Sequence, residues 1–154
     1  MGGVDGIITS FAISAGASAG ALGSRVVLVI GVSSVLADGL SMGISEYLSS
    51  SGLQAERKFR GEVILNESPP VVLALSCFVS FVACGALPIA TYLLTQENLL
   101  ACAMFSVTGL MLLGSIRTVF SQEPLLLGLL QTSLLGSAAG GVAYGVGYAF
   151  HDFT

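Results

Sequence analysis

This 154-residue sequence has little charge, no tryptophan, one histidine and three cysteines without any CxxC spacing. Only 9% of its residues are Asp, Glu, Lys or Arg, against about a quarter in soluble domains. That deficit excludes an ordinary water-soluble fold. The five Lys and Arg residues form no basic patch of the kind that nucleic acid requires. Cys77, Cys84 and Cys102 all fall in apolar segments, where a free cysteine serves as a small buried hydrophobe. No basic residue precedes the first apolar run, so a cleaved signal peptide is not expected, nor is an N-terminal arm ahead of Asp5. Gly6 stands where myristoylation would need Ser or Thr.

What the sequence does have is hydrophobicity: 54% of residues are apolar and the mean hydropathy is +0.92. A helix crosses a hydrocarbon core with about 20 apolar residues. Five stretches are long enough: Val4 to Gly23, Val26 to Leu48, Val71 to Leu94, Leu99 to Val119 and Pro124 to Phe150. Runs such as Val26-Val27-Leu28-Val29-Ile30 do not alternate as barrel strands do. The expectation is an all-α integral membrane protein, one domain over residues 1–154 with five transmembrane helices. Gly23-Ser24-Arg25 reads as a tight turn between the first two, and 49–70 as a loop. That loop carries Glu56, Arg57, Lys58, Arg60, Glu62 and Glu67. Arg57, Lys58 and Arg60, with Arg117, lie on one side and Arg25 alone on the other. The basic side is expected to be cytoplasmic, which puts the N-terminus inside and the C-terminus outside. Phe59 among those basic residues also fits a helix lying in the interface.

Glycine is abundant, at 20 residues. Gly136 with Gly140, and Gly141 with Gly145, have the small-xxx-small spacing that lets helix backbones approach closely. Pro88 is expected to kink the third helix.

The chemistry lies in the second helix, at Asp38, Ser41, Met42, Ser45, Glu46 and Ser49. With Asp38 at 0° and about 100° per residue, Met42 falls near 40°, Glu46 near 80°, Ser49 near 20°, Ser45 near −20° and Ser41 near −60°. Every position on that arc offers oxygen or sulfur. On the first helix Asp5 shares a face with Thr9, Ala12, Gly16 and Ala19. Counted from Ser24, Asp5 and Met42 both lie roughly 27–28 Å away, with Asp38 about 6 Å deeper than Met42.

A charged Asp at the bilayer centre costs about 2.5–3.5 kcal/mol even on a lenient scale. Such acids persist where a cation or protons occupy them. Asp5, Asp38, Met42 and Glu46 are therefore candidate metal ligands, with Thr9, Ser41 and Ser45 lining the path. The bland readings are a helix cap for Asp5 and bonds to neighbouring serines, Arg25 or Arg117 for the other acids. The thioether of Met42 among carboxylates points to Fe²⁺ or a related ion, Mn²⁺ included. His151, alone near the C-terminus, reads as an exposed polar residue, and Met104 and Met111 as packing.

Val4-Asp5-Gly6-Ile7-Ile8-Thr9-Ser10-Phe11-Ala12 and Ala37-Asp38-Gly39-Leu40-Ser41-Met42-Gly43-Ile44-Ser45-Glu46-Tyr47-Leu48 resemble the signature helices of the vacuolar iron transporter family. Gly85-Ala86-Leu87-Pro88-Ile89 and the glycine-rich helix through Gly147 are similar to its later spans. The resemblance implies a five-helix protomer that forms a homodimer around a central path and exchanges Fe²⁺, often also Mn²⁺, for protons. It implies path ligands at Asp5, Met42 and Glu46. The chain departs from the family in lacking a long Glu-rich metal-gathering insert after the second helix, and in this it resembles the shorter nodulin-like branch.

The resulting expectation is a transporter and not an enzyme, with metal as cargo and no resident cofactor. It moves Fe²⁺ or Mn²⁺ out of the cytoplasm against protons. Its partners are the metal ion, protons, membrane lipid and a second copy, with no nucleic acid. Its membrane is vacuolar or another acidic organelle's in a eukaryote, and the cell membrane in a prokaryote. Two rivals remain at this point. One is a proton-coupled exporter of organic cations, disfavoured by the shortage of aromatic walls. The other is a non-transporting membrane scaffold.

Overall fold

A computed structural model describes residues 2–61, 68–96, 98–121 and 125–150, without the side chains of 116–132. Expectations that rest on Glu62, Glu67, Arg117 and His151 concern side chains outside that set. The described chain is all helix: α1 (Gly2–Ala19), α2 (Ser24–Phe59), α3 (Pro70–Leu94), α4 (Leu99–Ser121) and α5 (Leu125–Ala149).

Among the described residues α2 and α3 are long and apolar enough to cross a membrane, and Leu99–Ser115 of α4 is a shorter apolar helix. Large apolar side chains point outward: Val29 is 65% exposed, Leu48 63%, Leu134 70% and Val142 70%. α1 instead buries mainly small residues, Gly2, Gly3, Gly6, Ser10, Ser14 and Ala15, with Ile7 as its one large buried side chain. Water would reverse that arrangement, whereas lipid tails solvate the large side chains and leave small residues to bring backbones together. The protein is an integral membrane protein.

α1 touches all four other helices. A Cβ added at Gly6 would sit 2.5 Å from the Phe81 carbonyl oxygen, and one at Gly2 would sit 2.7 Å from that of Cys77. α1 and α3 therefore meet backbone to backbone. On its other side, Gly140 lies against the Phe11 ring and Gly147 against the Gly16 carbonyl. Gly136 faces Leu110, but around Gly141 and Gly145 an added Cβ meets nothing within 4 Å. Within the protomer the second glycine pair of α5 thus packs nothing, and Gly147 makes the close approach instead. The spacing motif recurs along both faces of a helix, so it does not say which face meets a neighbour.

α2 buries Val27, Gly31, Val35, Gly39 and Gly43, one residue in every four. Gly31 lies against Ile89, Gly39 against Phe78 and Val82, and Gly43 against Ala74. The two helices therefore run antiparallel along an i±4 ridge. Met42 packs beside the Val35, Phe81 and Ile89 cluster.

The expected loop 49–70 is helix for its first half, because α2 continues through Phe59. At 36 residues it is about 54 Å long, well beyond a hydrocarbon core of about 30 Å. The Ser49-Ser50-Ser51-Gly52 run does not break it. Ser50 Oγ donates to the Glu46 carbonyl at 2.5 Å and Ser51 Oγ to that of Leu48 at 3.3 Å. Strong helix formers follow, with a Glu56–Arg60 pair at 2.6 Å one turn apart. The helix ends where Gly61 takes a φ of +73°. The chain then returns to Pro70 at the first position of α3, where a missing N–H costs nothing.

α3 runs unbroken past Pro88. Asn98 caps α4 by accepting from the backbone N–H groups of Leu100 at 3.1 Å and Ala101 at 3.3 Å. The first turn lies four residues earlier than the Gly-Ser-Arg tripeptide implies: α1 stops at Ala19, and Ala21 adopts a left-handed φ of 51°.

Candidate metal groove

The α2–α3 contact closes at Gly39 and Gly43 and opens beside them into a groove of about 750 Å³. From α2 it is lined by Ser41, Met42, Ser45, Glu46 and Ser49; from α3 by Leu73, Ser76, Cys77 and Ser80; from α1 by Gly2. Met42, Glu46 and Cys77 are half-buried, while the serines stand at the exposed rim. Helix periodicity explains the grading. On the scale with Asp38 at 0°, Gly39 and Gly43 face α3 at about 100° and 140°. Glu46, near 80°, borders that contact, and Asp38 lies well round from it.

The expected ligand set therefore divides. Met42 and Glu46 share the groove with Ser41 and Ser45. Asp38 and Asp5 are exposed and do not line it. Thr9 lines a different groove of about 480 Å³, with Ala12 and Gly16 of α1, Val26 and Ile30 of α2 and Ala143 of α5.

The depths also change. Gly2 lies against Cys77 and Gly6 against Phe81 and Gly85, which puts Asp5 level with the Phe81 turn of α3. By the α2–α3 register Asp38 lies at that same level, and Met42 lies opposite Cys77. Asp5 is thus level with Asp38, about one turn deeper than Met42. The physical reason is the early end of α1. Counted from Ala19 and from Ser24, Asp5 and Asp38 are each about 21 Å along their helices. Among the described residues no three of His, Cys, Asp and Glu converge as metal ligands.

Arg25 does not neutralise the stripe, since Asp38 is about 20 Å along the helix from it. Among the described residues no ion pair reaches Asp38 or Glu46. The groove thus brings a free carboxylate, a thioether, a thiol and several hydroxyls onto facing helices, a donor set able to replace the water around a borderline divalent cation.

Ser76, Cys77 and Ser80 are groove residues that the reading of α2 did not include. Their signal was present in the sequence, because with Cys84 they recur on one face of α3. Cys77 and Cys84 are only partly buried, whereas Cys102 is fully buried. The reading of all three as small buried hydrophobes fits Cys102 fully, while Cys84 packs against Gly3 and Cys77 lines the groove.

The 59 residues that match a vacuolar iron transporter of Toxoplasma gondii are 46% identical and make up 38% of this chain but 18% of that protein. A vacuolar iron transporter of Plasmodium falciparum matches over 59 residues at 43% identity, covering 38% of this chain and 20% of the other. The matched stretch therefore covers only about a fifth of those relatives' length. A family model described as the VIT family matches residues 1–60 and 53–148, two pieces that meet at the end of α2. The chain belongs to the VIT family.

Proposed function

We propose that this protein transports divalent transition metal, Fe²⁺ with Mn²⁺ as a related cargo, out of the cytoplasm in exchange for protons. The observation that carries the reading is the groove, which sets the Met42 thioether and the Glu46 carboxylate together between α2 and α3. The names of the two relatives support iron as cargo. The metal sheds water and binds the ionised carboxylate. Protonation of that carboxylate from the acidic side then weakens the site. Metal and protons compete because only a deprotonated carboxylate ligates.

Asp5 and Asp38 enter through assembly. Each is exposed on a helix among apolar side chains, where contact with lipid would cost several kcal/mol. A second copy facing this surface removes the acids from lipid, and this supports a homodimer with both carboxylates on a shared path. All five helices span the membrane in this reading, with Arg57, Lys58 and Arg60 on the cytoplasmic side. Only 60–69 separate α2 from α3, too few residues for a metal-gathering domain, so the groove itself receives the ion.

Liposomes containing the full chain, with a pH gradient and Fe²⁺ or Mn²⁺ on one side, test the reading. The expected outcome is metal-driven proton flux that Met42→Ala abolishes; unchanged flux sinks the assignment. Flux competed by a lipophilic organic cation and not by metal would favour a drug exporter. A cytoplasmic label at Thr154 would overturn the orientation.

A further inference from the structure

We propose that Cys77 is a metal ligand in the α2–α3 groove, acting with Met42 and Glu46 and tilting its selectivity towards thiophilic divalent ions. The inference rests on the transport reading and adds a residue and a cargo class to it.

Position is the first support. The α2–α3 register sets Gly43 against Ala74 and Phe78, and Gly39 against Phe78 and Val82. Met42, between those glycines, is therefore level with Cys77, and Glu46 lies one turn nearer the end of the groove. The Cys77 thiol lies beside α1, where an added Cβ on Gly2 would sit 3.3 Å from its Sγ. Gly2, Met42, Glu46 and Cys77 all line the one cavity.

Chemistry is the second support. Lone cysteines in apolar helices are ordinarily packing, and Cys102 fits that description at 0% exposure. Cys77 does not, because it is half-buried and opens on the cavity that holds the free carboxylate and the thioether. A carboxylate alone suits hard ions such as Mn²⁺. Adding a thioether and a thiolate turns the site towards Fe²⁺, Zn²⁺ and Cd²⁺. The thiol loses one proton as the sulfur–metal bond forms, so each bound ion releases that proton to the groove. On metal release the sulfur takes a proton back, which adds to the proton–metal competition at Glu46.

The test uses the full chain in detergent and in liposomes, with Cd²⁺, Zn²⁺ or Mn²⁺ alone as probes. Peptide mapping after alkylation reads Cys77 and Cys84 separately. Cd²⁺ is expected to slow alkylation of Cys77 about tenfold or more, to leave Cys84 unprotected, and to raise an ultraviolet sulfur-to-cadmium band. Cys77→Ser should abolish the band and lower Zn²⁺ flux about tenfold more than it lowers Mn²⁺ flux. The band also reads binding if the thiol alkylates slowly. Wild-type transport with neither protection nor a band overturns the role of Cys77 and leaves the transport reading standing. Absence of transport, protection and band together overturns both. Equal loss of Zn²⁺ and Mn²⁺ flux in Cys77→Ser would mark a packing role and also overturn the proposal.

Discussion

α3 meets two helices through small residues, and the two contacts differ in kind. Its seam with α1 is closed: Gly2 and Gly6 press onto the carbonyls of Cys77 and Phe81, and Ser10 lies at Gly85. Its contact with α2 is closed only along the Gly31, Gly39 and Gly43 ridge and opens beside it into the groove. Glycine supplies close approach in both places. The flanking residues make the difference, because small neighbours let α1 nest while Met42 and Glu46 hold polar ends in an open space. A shared packing device therefore yields a closed seam on one side and an open groove on the other.

The sharpest way to break the comparison is Gly6→Leu. Its Cβ would lie 2.5 Å from a backbone oxygen that cannot step aside. Overpacking of this kind costs about 1–3 kcal/mol or more, and the expected result is loss of folded protein on size-exclusion in detergent. A normal elution profile would show that the seam is looser than described.

On the groove side, Glu46→Gln keeps volume and removes charge. It should lower metal-driven proton flux by about 100-fold or more while leaving the elution profile and melting midpoint in place. Loss of folding instead would make Glu46 structural and erase the contrast.

Gly43→Ala tests the hinge between the two behaviours, since its Cβ would lie 3.2 Å from the Ala74 carbonyl. A destabilisation of about 1 kcal/mol is expected, with flux reduced more than stability because Met42 moves with the backbone.

Gly141→Ala meets no neighbour within 4 Å in the protomer. In a helix that change should be neutral or stabilise by up to about 1 kcal/mol by thermal unfolding. A clear loss of dimer would place Gly141 at the contact between copies.

The smallest effect is expected at Ser10. Its buried hydroxyl has no hydrogen-bond partner among the described residues. Ser10→Ala should shift the melting midpoint little, and upward if at all. Ser14→Ala, which removes a 3.0 Å bond to the Ser10 carbonyl, should cost about 1 kcal/mol.

The helices were largely legible because length and continuous hydropathy report membrane depth directly. Their ends were less so. α2 ran past Leu48 because serine hydroxyls bonding to preceding carbonyls keep a weak helix former in the helix. The turn after α1 fell at Ala21, a residue without the usual freedom for a left-handed φ, and the mark of the helix end was Gly20 just before it, which the reading of Gly23-Ser24-Arg25 as the turn passed over. That shift of a few residues moved Asp5 by about one turn relative to Met42. It separated Asp5 from the groove pair and set it level with Asp38.

The sequence by itself determined the all-helical membrane character and the angular order of Asp38, Met42 and Glu46 on α2, since both come from hydropathy and the pitch of a helix. Only the tertiary structure decided which edge of that stripe lines a cavity and which helix faces it. The choice depends on the glycine ridge that seats α2 on α3, and on the register that brings Cys77 opposite Met42. Periodicity assigns a residue to a side of its own helix, and packing alone determines what stands across from it.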